Sequence, residues 1–172
     1  MMKTFLKVLC ALALALALFL FVVRFKDGPL AIIAGGPLAS GKLAPSVGVD
    51  FAFAKDIDTI ELQLLNPPRS RTTWVVFHDG HLYVPSGFMD VPIWKQWPEE
   101  AVDDGRAIAR IDGVRYPFQL ERVVDRKTWQ KTRMLSGRKY NLSDWDSGKE
   151  PGPEEWNLVW IFRLNPRSLG GS

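Results

Sequence analysis

Residues 8–23 form an unbroken apolar run, with Lys3 and Lys7 before it and Arg24 and Lys26 after it. At 1.5 Å per residue the run reaches roughly 24 Å, and counted from Phe5, with Lys7 snorkelling to the interface, roughly 28 Å, enough to cross a bilayer core. A cleaved signal peptide carries the same basic and apolar parts. Cleavage at the Ala15-Leu16-Ala17 triplet, however, would leave residues 18–23 as an apolar new terminus, and Arg24, Phe25 and Lys26 do not suit a peptidase that reads small residues. Residues 1–27 are therefore expected to be an uncleaved single-pass anchor that meets the membrane through residues 5–23. Cys10 opens the apolar run and is preceded by Lys7-Val8-Leu9, which excludes a lipid-modified cysteine. The N-terminal amine, Lys3 and Lys7 slightly outweigh Arg24 and Lys26, whose charge Asp27 partly offsets. The domain is accordingly expected on the periplasmic side of a bacterial inner membrane. The lack of cysteine after Cys10 is compatible with an oxidising compartment.

The formal charge of +3 and the pI near 9.1 suggest an anionic partner until the charges are placed along the chain. After Asp27 there are 18 basic and 18 acidic side chains, so the excess belongs to the anchor and no nucleic-acid partner is expected. Residues 106–139 are rich in Arg and Lys, whereas residues 144–155 are acidic. Mutual pairing of the two stretches explains them better than a basic binding face. The chain beyond the anchor is long enough for one domain with a proper core.

Residues 28–56 are rich in Gly, Pro and Ala and read as a lead-in across the surface. They contain Gly36-Pro-Leu-Ala-Ser-Gly41-Lys42-Leu43, one residue short of a phosphate-binding Walker A loop. Leu43 stands where Ser or Thr must hold Mg²⁺, and Ala44-Pro45 follows where a helix must begin, so nucleotide hydrolysis is not expected. Ile60, Leu62 and Leu64 alternate with Glu61 and Gln63 as in a half-buried strand. Residues 66–71 read as a turn and residues 72–77 as a strand. Asp79-Gly80 is a two-residue hairpin signature before the returning strand 81–84, and Asp112-Gly113 marks a second hairpin between residues 106–111 and 114–123. Pro92, Trp94, Trp97 and Ala101 suit a short helix, and Asp125 can cap another reaching about Leu135. Residues 156–164 are almost continuously apolar and read as a strand buried on both faces, placing Trp156 and Trp160 on one side. The expected fold is mainly β (α+β): a small antiparallel six-stranded barrel over residues 57–165 with short helices, preceded by one transmembrane helix and followed by a tail, 166–172.

The element order and local wording resemble the split β-barrel superfamily of flavin and deazaflavin binders, which includes pyridoxamine-phosphate oxidases and deazaflavin-dependent nitroreductases. The carriers are Pro68-Arg69-Ser70-Arg71-Thr72-Thr73, Asp79-Gly80-His81-Leu82-Tyr83-Val84, Trp94-Lys95-Gln96-Trp97 and Asp112-Gly113. The resemblance implies that basic and hydroxyl residues near the first strands and the following helix hold a cofactor phosphate. It nominates Arg69, Ser70, Thr72, Thr73 and Lys95, with FMN or a deazaflavin as the cofactor and a homodimer as the assembly. A guanidinium, hydroxyls and an ammonium are suitable donors for a phosphate.

No catalytic residue stands out. Cys10 lies in the anchor, and neither Ser70 nor Ser86 has a nucleophile-elbow setting. His78 and His81 flank the Asp79-Gly80 turn and oppose each other, but a catalytic metal needs a third ligand and there is no other histidine, so no metal site is assigned. The same pair offers one haem ligand at most. Asp144-Trp-Asp146-Ser-Gly148 opens like a calcium loop, yet Pro151 and Pro153 spoil the geometry before Glu155. The expectation is a membrane-anchored domain that binds a flavin-type or other phosphate-bearing cofactor, with an oxidoreductase as one outcome. The alternative is a non-catalytic binding or assembly module at the cell envelope.

Overall fold

The computed structural model describes residues 2–31, 33–87, 96–146 and 152–168. Helix α1 (Met2–Val23) buries only Val23, so its apolar side chains are left without a protein partner. At 22 residues it is about 33 Å long, sufficient to cross a membrane.

Seven antiparallel strands follow: β1 (Thr59–Leu65), β2 (Pro68–Trp74), β3 (Val76–His78), β4 (His81–Ser86), β5 (Arg106–Ile111), β6 (Val114–Arg122) and β7 (Trp160–Pro166). They form one sheet in the order β2-β1-β5-β6-β7-β4-β3. Both Asp-Gly turns are present, with Asp79 and Gly80 at φ 48° and 77° and Asp112 and Gly113 at 48° and 76°. These left-handed pairs match the twist of the flanking strands. Helices α2 (Trp97–Asp103), α3 (Arg126–Lys139), α4 (Ser143–Asp146) and α5 (Pro153–Leu158) lie between the strands. Asp125 caps α3 by accepting from the Thr128 N–H at 2.8 Å.

Three expectations are corrected. The strand count is seven rather than six, because residues 72–77 break at Val75 and give two strands instead of one. Residues 68–71 are strand rather than turn, pairing through Pro68↔Leu65 to Arg71↔Leu62, and only Asn66 and Pro67 turn the chain. Residues 156–158 close helix α5 rather than open a strand. Gly152 at the N-cap, Pro153 in the first turn and Glu154 and Glu155 beside the helix N-terminus outweigh the apolar run. Trp156 therefore packs on Trp129, with ring centroids 5.0 Å apart, while Trp160 begins β7 under the Arg122 guanidinium. Ile161 and Phe162 are buried on opposite faces of β7, as the apolar run implied. The expected helix over Pro92 and Trp94 lies outside the described residues, and Trp97 and Ala101 are buried on α2.

The strand break decides the architecture. β2 and β3 are the two edges of the sheet, yet only Val75 separates them in sequence. The sheet must curl until its edges meet at that residue. The interior holds Phe51, Ile60, Leu62, Leu64, Val84, Phe118, Phe162 and Leu164. A second cluster, Tyr83, Trp129, Val159 and Ile161, lies outside the curl, where the Trp129 indole donates to Val159 O at 2.8 Å. Phe51 comes from the short 3-10 turn Phe51–Asp56, so the end of the lead-in contributes to the core.

Val75 is fully buried and has no strand partner. Its N–H donates to Tyr140 Oη at 2.9 Å, and its carbonyl accepts from Lys139 Nζ at 3.0 Å and from Tyr140 Oη at 2.8 Å. The end of α3 thus supplies what the ladder cannot. Earlier on α3, Thr132 Oγ1 donates to Thr128 O and accepts from His78 Nε2 at 2.7 Å, which places the neutral imidazole proton on Nε2. The His78 ring stacks on Tyr83 at 4.2 Å.

Tyr140→Phe should leave the buried Val75 N–H unpaired at a cost of about 1–3 kcal/mol, lowering the thermal midpoint of the detergent-solubilised chain by about 3–10 °C. Burial holds the His78 pKa below its ordinary value, despite the Asp79 carboxylate nearby. The unfolded chain then binds the extra proton first, so this part of the stability is full above about pH 6.5 and is lost progressively as pH falls from there through the lower folded-state value. Urea titrations between pH 7.5 and 5.5 should show a smaller loss of stability in His78→Gln than in the unaltered chain.

Candidate functional site

β2 has two faces, and the side chains alternate between them. Arg69, Arg71 and Thr73 share the face of their register partners Leu64, Leu62 and Ile60, all buried in the barrel interior. Ser70, Thr72 and Trp74 share the other, outer face. The five nominated residues are therefore divided. Arg69 and Thr73 are brought together on the inner face. Ser70 is fully buried on the outer face and donates through its hydroxyl to Gly36 O at 2.5 Å, while Thr72 is exposed beside it. Lys95 lies outside the described residues.

The inner face also carries Arg71, which belongs to the same sequence motif but is not among the five nominated residues. Period-two alternation is the signal that could have found it, because a strand through residues 68–74 puts Arg69, Arg71 and Thr73 in one row. The Nε atoms of Arg69 and Arg71 are both buried without a hydrogen-bond partner. The Arg71 guanidinium lies 5.2 Å from the centroid of the Trp97 ring, which packs at 5.3 Å from Phe162. Burial pulls the Arg71 pKa down to about 10, with Glu100 acting the other way and Arg69 adding to the depression. The Arg71 guanidinium is thus cationic at neutral pH, and it stands next to Arg69 on one face of the strand, against apolar surface. A buried N–H without a partner is costly. Such a pair, backed by an indole, has the donors and the charge to hold a phosphate or another oxyanion.

The remaining basic residues are mostly committed to partners. Arg133 is buried, donates to Trp145 O and Asp144 O at 3.0 and 2.7 Å, and pairs with Glu155. Arg138 pairs with Asp146 at 2.7 Å, Arg106 with Asp104 at 2.7 Å and Lys131 with Asp79 at 2.8 Å. Pairing of the basic stretch with the acidic one is what the structure shows for Arg133 and Arg138. Arg163 Nε is also a buried atom without a partner, but its Nη2 donates to Glu121 at 2.6 Å. The cleft bounded by Glu121, Arg122, Val123, Val124, Asp125 and Thr128 carries charges of both signs. His78 and His81 oppose each other in the hairpin as expected. Their rings are engaged separately, His78 with Thr132 and His81 Nδ1 with Asp79 O at 2.8 Å.

A second cluster surrounds Asp27, which in the sequence is legible only as an offset to the anchor's charge. Its carboxylate accepts from the Ala39 N–H at 2.7 Å and pairs with Arg110 Nη1 at 3.1 Å, while Arg110 Nε pairs with Glu61. Burial would raise the Asp27 pKa, but hydrogen bonds from Ser40, Ala39 and Arg110 outweigh it and hold the value at about 2.

No family model and no curated protein matches this chain. Among solved structures, the fold is similar to a candidate pyridoxamine 5′-phosphate oxidase from Listeria innocua, at 17% identity and TM-score 0.49 over 70% of this chain and 94% of that one. It is also similar to a conserved hypothetical protein from Mycobacterium tuberculosis, at 14% identity and TM-score 0.48 over 67% and 76% of the two chains. A further likeness is to an FAD-binding protein from Mesorhizobium loti, at 15% identity and TM-score 0.41 over 66% and 84%. These neighbours are what the curled antiparallel half-barrel is similar to.

Proposed function

We propose that this chain is a membrane-anchored domain that binds a flavin-type or other phosphate-bearing cofactor on the inner face of β2. The observation that supports this reading is the row of Arg69 and Arg71, each with a buried Nε that has no partner among the described residues, beside the Trp97 ring. Two forked guanidinium groups suit the oxygens of a terminal phosphate, and Thr73, next in the row, adds a hydroxyl. Lys95, two residues before Trp97 in sequence, is proposed as a further donor on its place in the motif. Ser70 and Thr72 belong to the proposal only as the outer side of the same strand, since Ser70 already spends its proton on Gly36 O.

A bound flavin or deazaflavin would supply hydride transfer, and the reading is then an oxidoreductase in which the protein contributes position and charge. A periplasmic position in a bacterium is proposed from the slight excess of positive charge before α1, and a homodimer is proposed from the split-barrel resemblance.

The test is a thermal-unfolding series on the detergent-solubilised full chain, alone and with FMN, a deazaflavin or haem, with the visible spectrum recorded. A ligand at a hundredfold excess over its Kd adds about 2.7 kcal/mol and should raise the midpoint by several degrees. Replacing Arg69 and Arg71 together by Leu should weaken binding of the responding cofactor by roughly 10–100-fold for each guanidinium removed, with the apo midpoint unchanged or raised. No shift with any of the three would overturn the cofactor reading in favour of a non-catalytic module at the membrane.

A further inference from the structure

The exit of α1 is not a free tether. Helical turns continue past Val23 through Arg24, Phe25 and Lys26, whose N–H groups donate to Leu20, Val22 and Val23 O at 3.1–3.2 Å. Lys26 O then accepts from Gly36 N at 2.9 Å, and the next residue, Asp27, pairs with Arg110 of β5. Arg110 Nη1 also donates to Ser40 Oγ at 2.7 Å, and Leu38 N donates to Gln63 Oε1 of β1 at 2.7 Å. Gly35 exchanges two backbone hydrogen bonds with Ser70 of β2, at 2.9 and 3.2 Å. The packing leaves no room for side chains. A Cβ on Gly36 would lie 2.7 Å from Arg24 O, and one on Gly35 would lie 1.8 Å from Gly28 O.

The side-chain contacts with the sheet fall on the outer face at Gln63, Arg110 and the Ser70 hydroxyl, while Gly35 pairs through its backbone with the edge of β2 at Ser70. The same face of β2 continues to Thr72 and to Trp74, which is 38% exposed and stacks on the Tyr140 ring at 4.5 Å. At the end of α1, Phe25 is 69% exposed between the exposed side chains of Arg24 and Lys26. Cations beside an exposed aromatic ring at the end of an apolar helix suit the lipid headgroup region, as does an exposed indole on the same side of the domain.

We infer that the α1 junction is a rigid strut that turns the outer side of β1, β2 and β5, with residues 35–40 lying over it, toward the lipid headgroups, with Trp74 as an interfacial contact. This rests on the membrane reading of α1. The bilayer surface lies on this side because the segment that leaves α1 is bonded to the sheet there through Asp27, Leu38 and Ser40. The inner-face arginines of β2 then lie on the far side of the sheet from the membrane.

The test uses the full chain with Cys10→Ser, reconstituted in phosphatidylcholine vesicles that contain a headgroup-nitroxide lipid. A fluorophore is attached at Thr72→Cys or at Val124→Cys, an exposed site nine residues along the chain from Arg115, the register partner of Arg110. The strut requires several-fold stronger quenching at position 72 than at 124. It also requires the two values to converge in Asp27→Ala, with the unfolding transition retained. Equal quenching in protein that resists carbonate extraction overturns the strut and leaves the anchor standing. Recovery of the chain in the carbonate-soluble fraction overturns the anchor and the strut together.

Discussion

The fold depends on a single residue that the sheet cannot satisfy. Val75 joins the two edge strands, so the chain leaves one end of the seven-stranded order and enters the other in one step. That connection compels the curl. It also strands a buried peptide group between ladders, where neither neighbour strand can reach it. Tyr140 and Lys139 reach it from α3, and the requirement fixes where the last turn of that helix must lie. The hydroxyl of Tyr140 also donates toward Asp58 O, so the approach to β1 and the corner after β2 are gathered on one side chain. Burial pushes its pKa up to about 12, so the proton needed for these contacts is retained through the physiological range.

With the curl in place, β2 becomes a wall with different work on its two sides. Its inner row places guanidinium groups against Leu62, Leu64 and Trp97, an environment in which charge is tolerated only where a counter-charge can enter. Its outer row is taken up by the segment that leads out of α1, with Ser70 closing the contact. The proposed ligand row and the segment that leads out of α1 are thereby separated by the thickness of one strand. The Asp27–Arg110–Glu61 cluster couples the anchor to two strands of the sheet, so a displacement of the helix is felt by the sheet rather than absorbed by a linker.

Much of this is written in local signals. The Asp-Gly turns, the Ile60-Leu62-Leu64 alternation and the Asp125 cap each require only nearest neighbours, and each is present at the residues that signal it. The misread segments are those in which tertiary contacts outweigh local chemistry. Asn66-Pro67-Pro68 carries the composition of a turn, yet pairing with β1 extends the strand back to Pro68. The apolarity of residues 156–164 reads as one strand, but Pro153 and two glutamates start a helix that ends at Leu158. Of the proposed binding row, Arg69 and Thr73 were legible and Arg71 was not, because their shared face exists only once the strand is drawn through all of them.

The sequence by itself determined that an apolar helix precedes a neutral, hairpin-built antiparallel domain, because length, hydropathy and turn chemistry are properties of short stretches. It determined equally that no familiar catalytic motif is complete here. Only the tertiary structure decided that the sheet curls at Val75, that Asp27 ties the end of α1 to β5, and that the two arginines of β2 stand together with buried Nε atoms unpaired among the described residues. The first two are relations between residues 65 and 83 positions apart, set by burial and by the need to satisfy buried polar groups, and no short window of the sequence contains them.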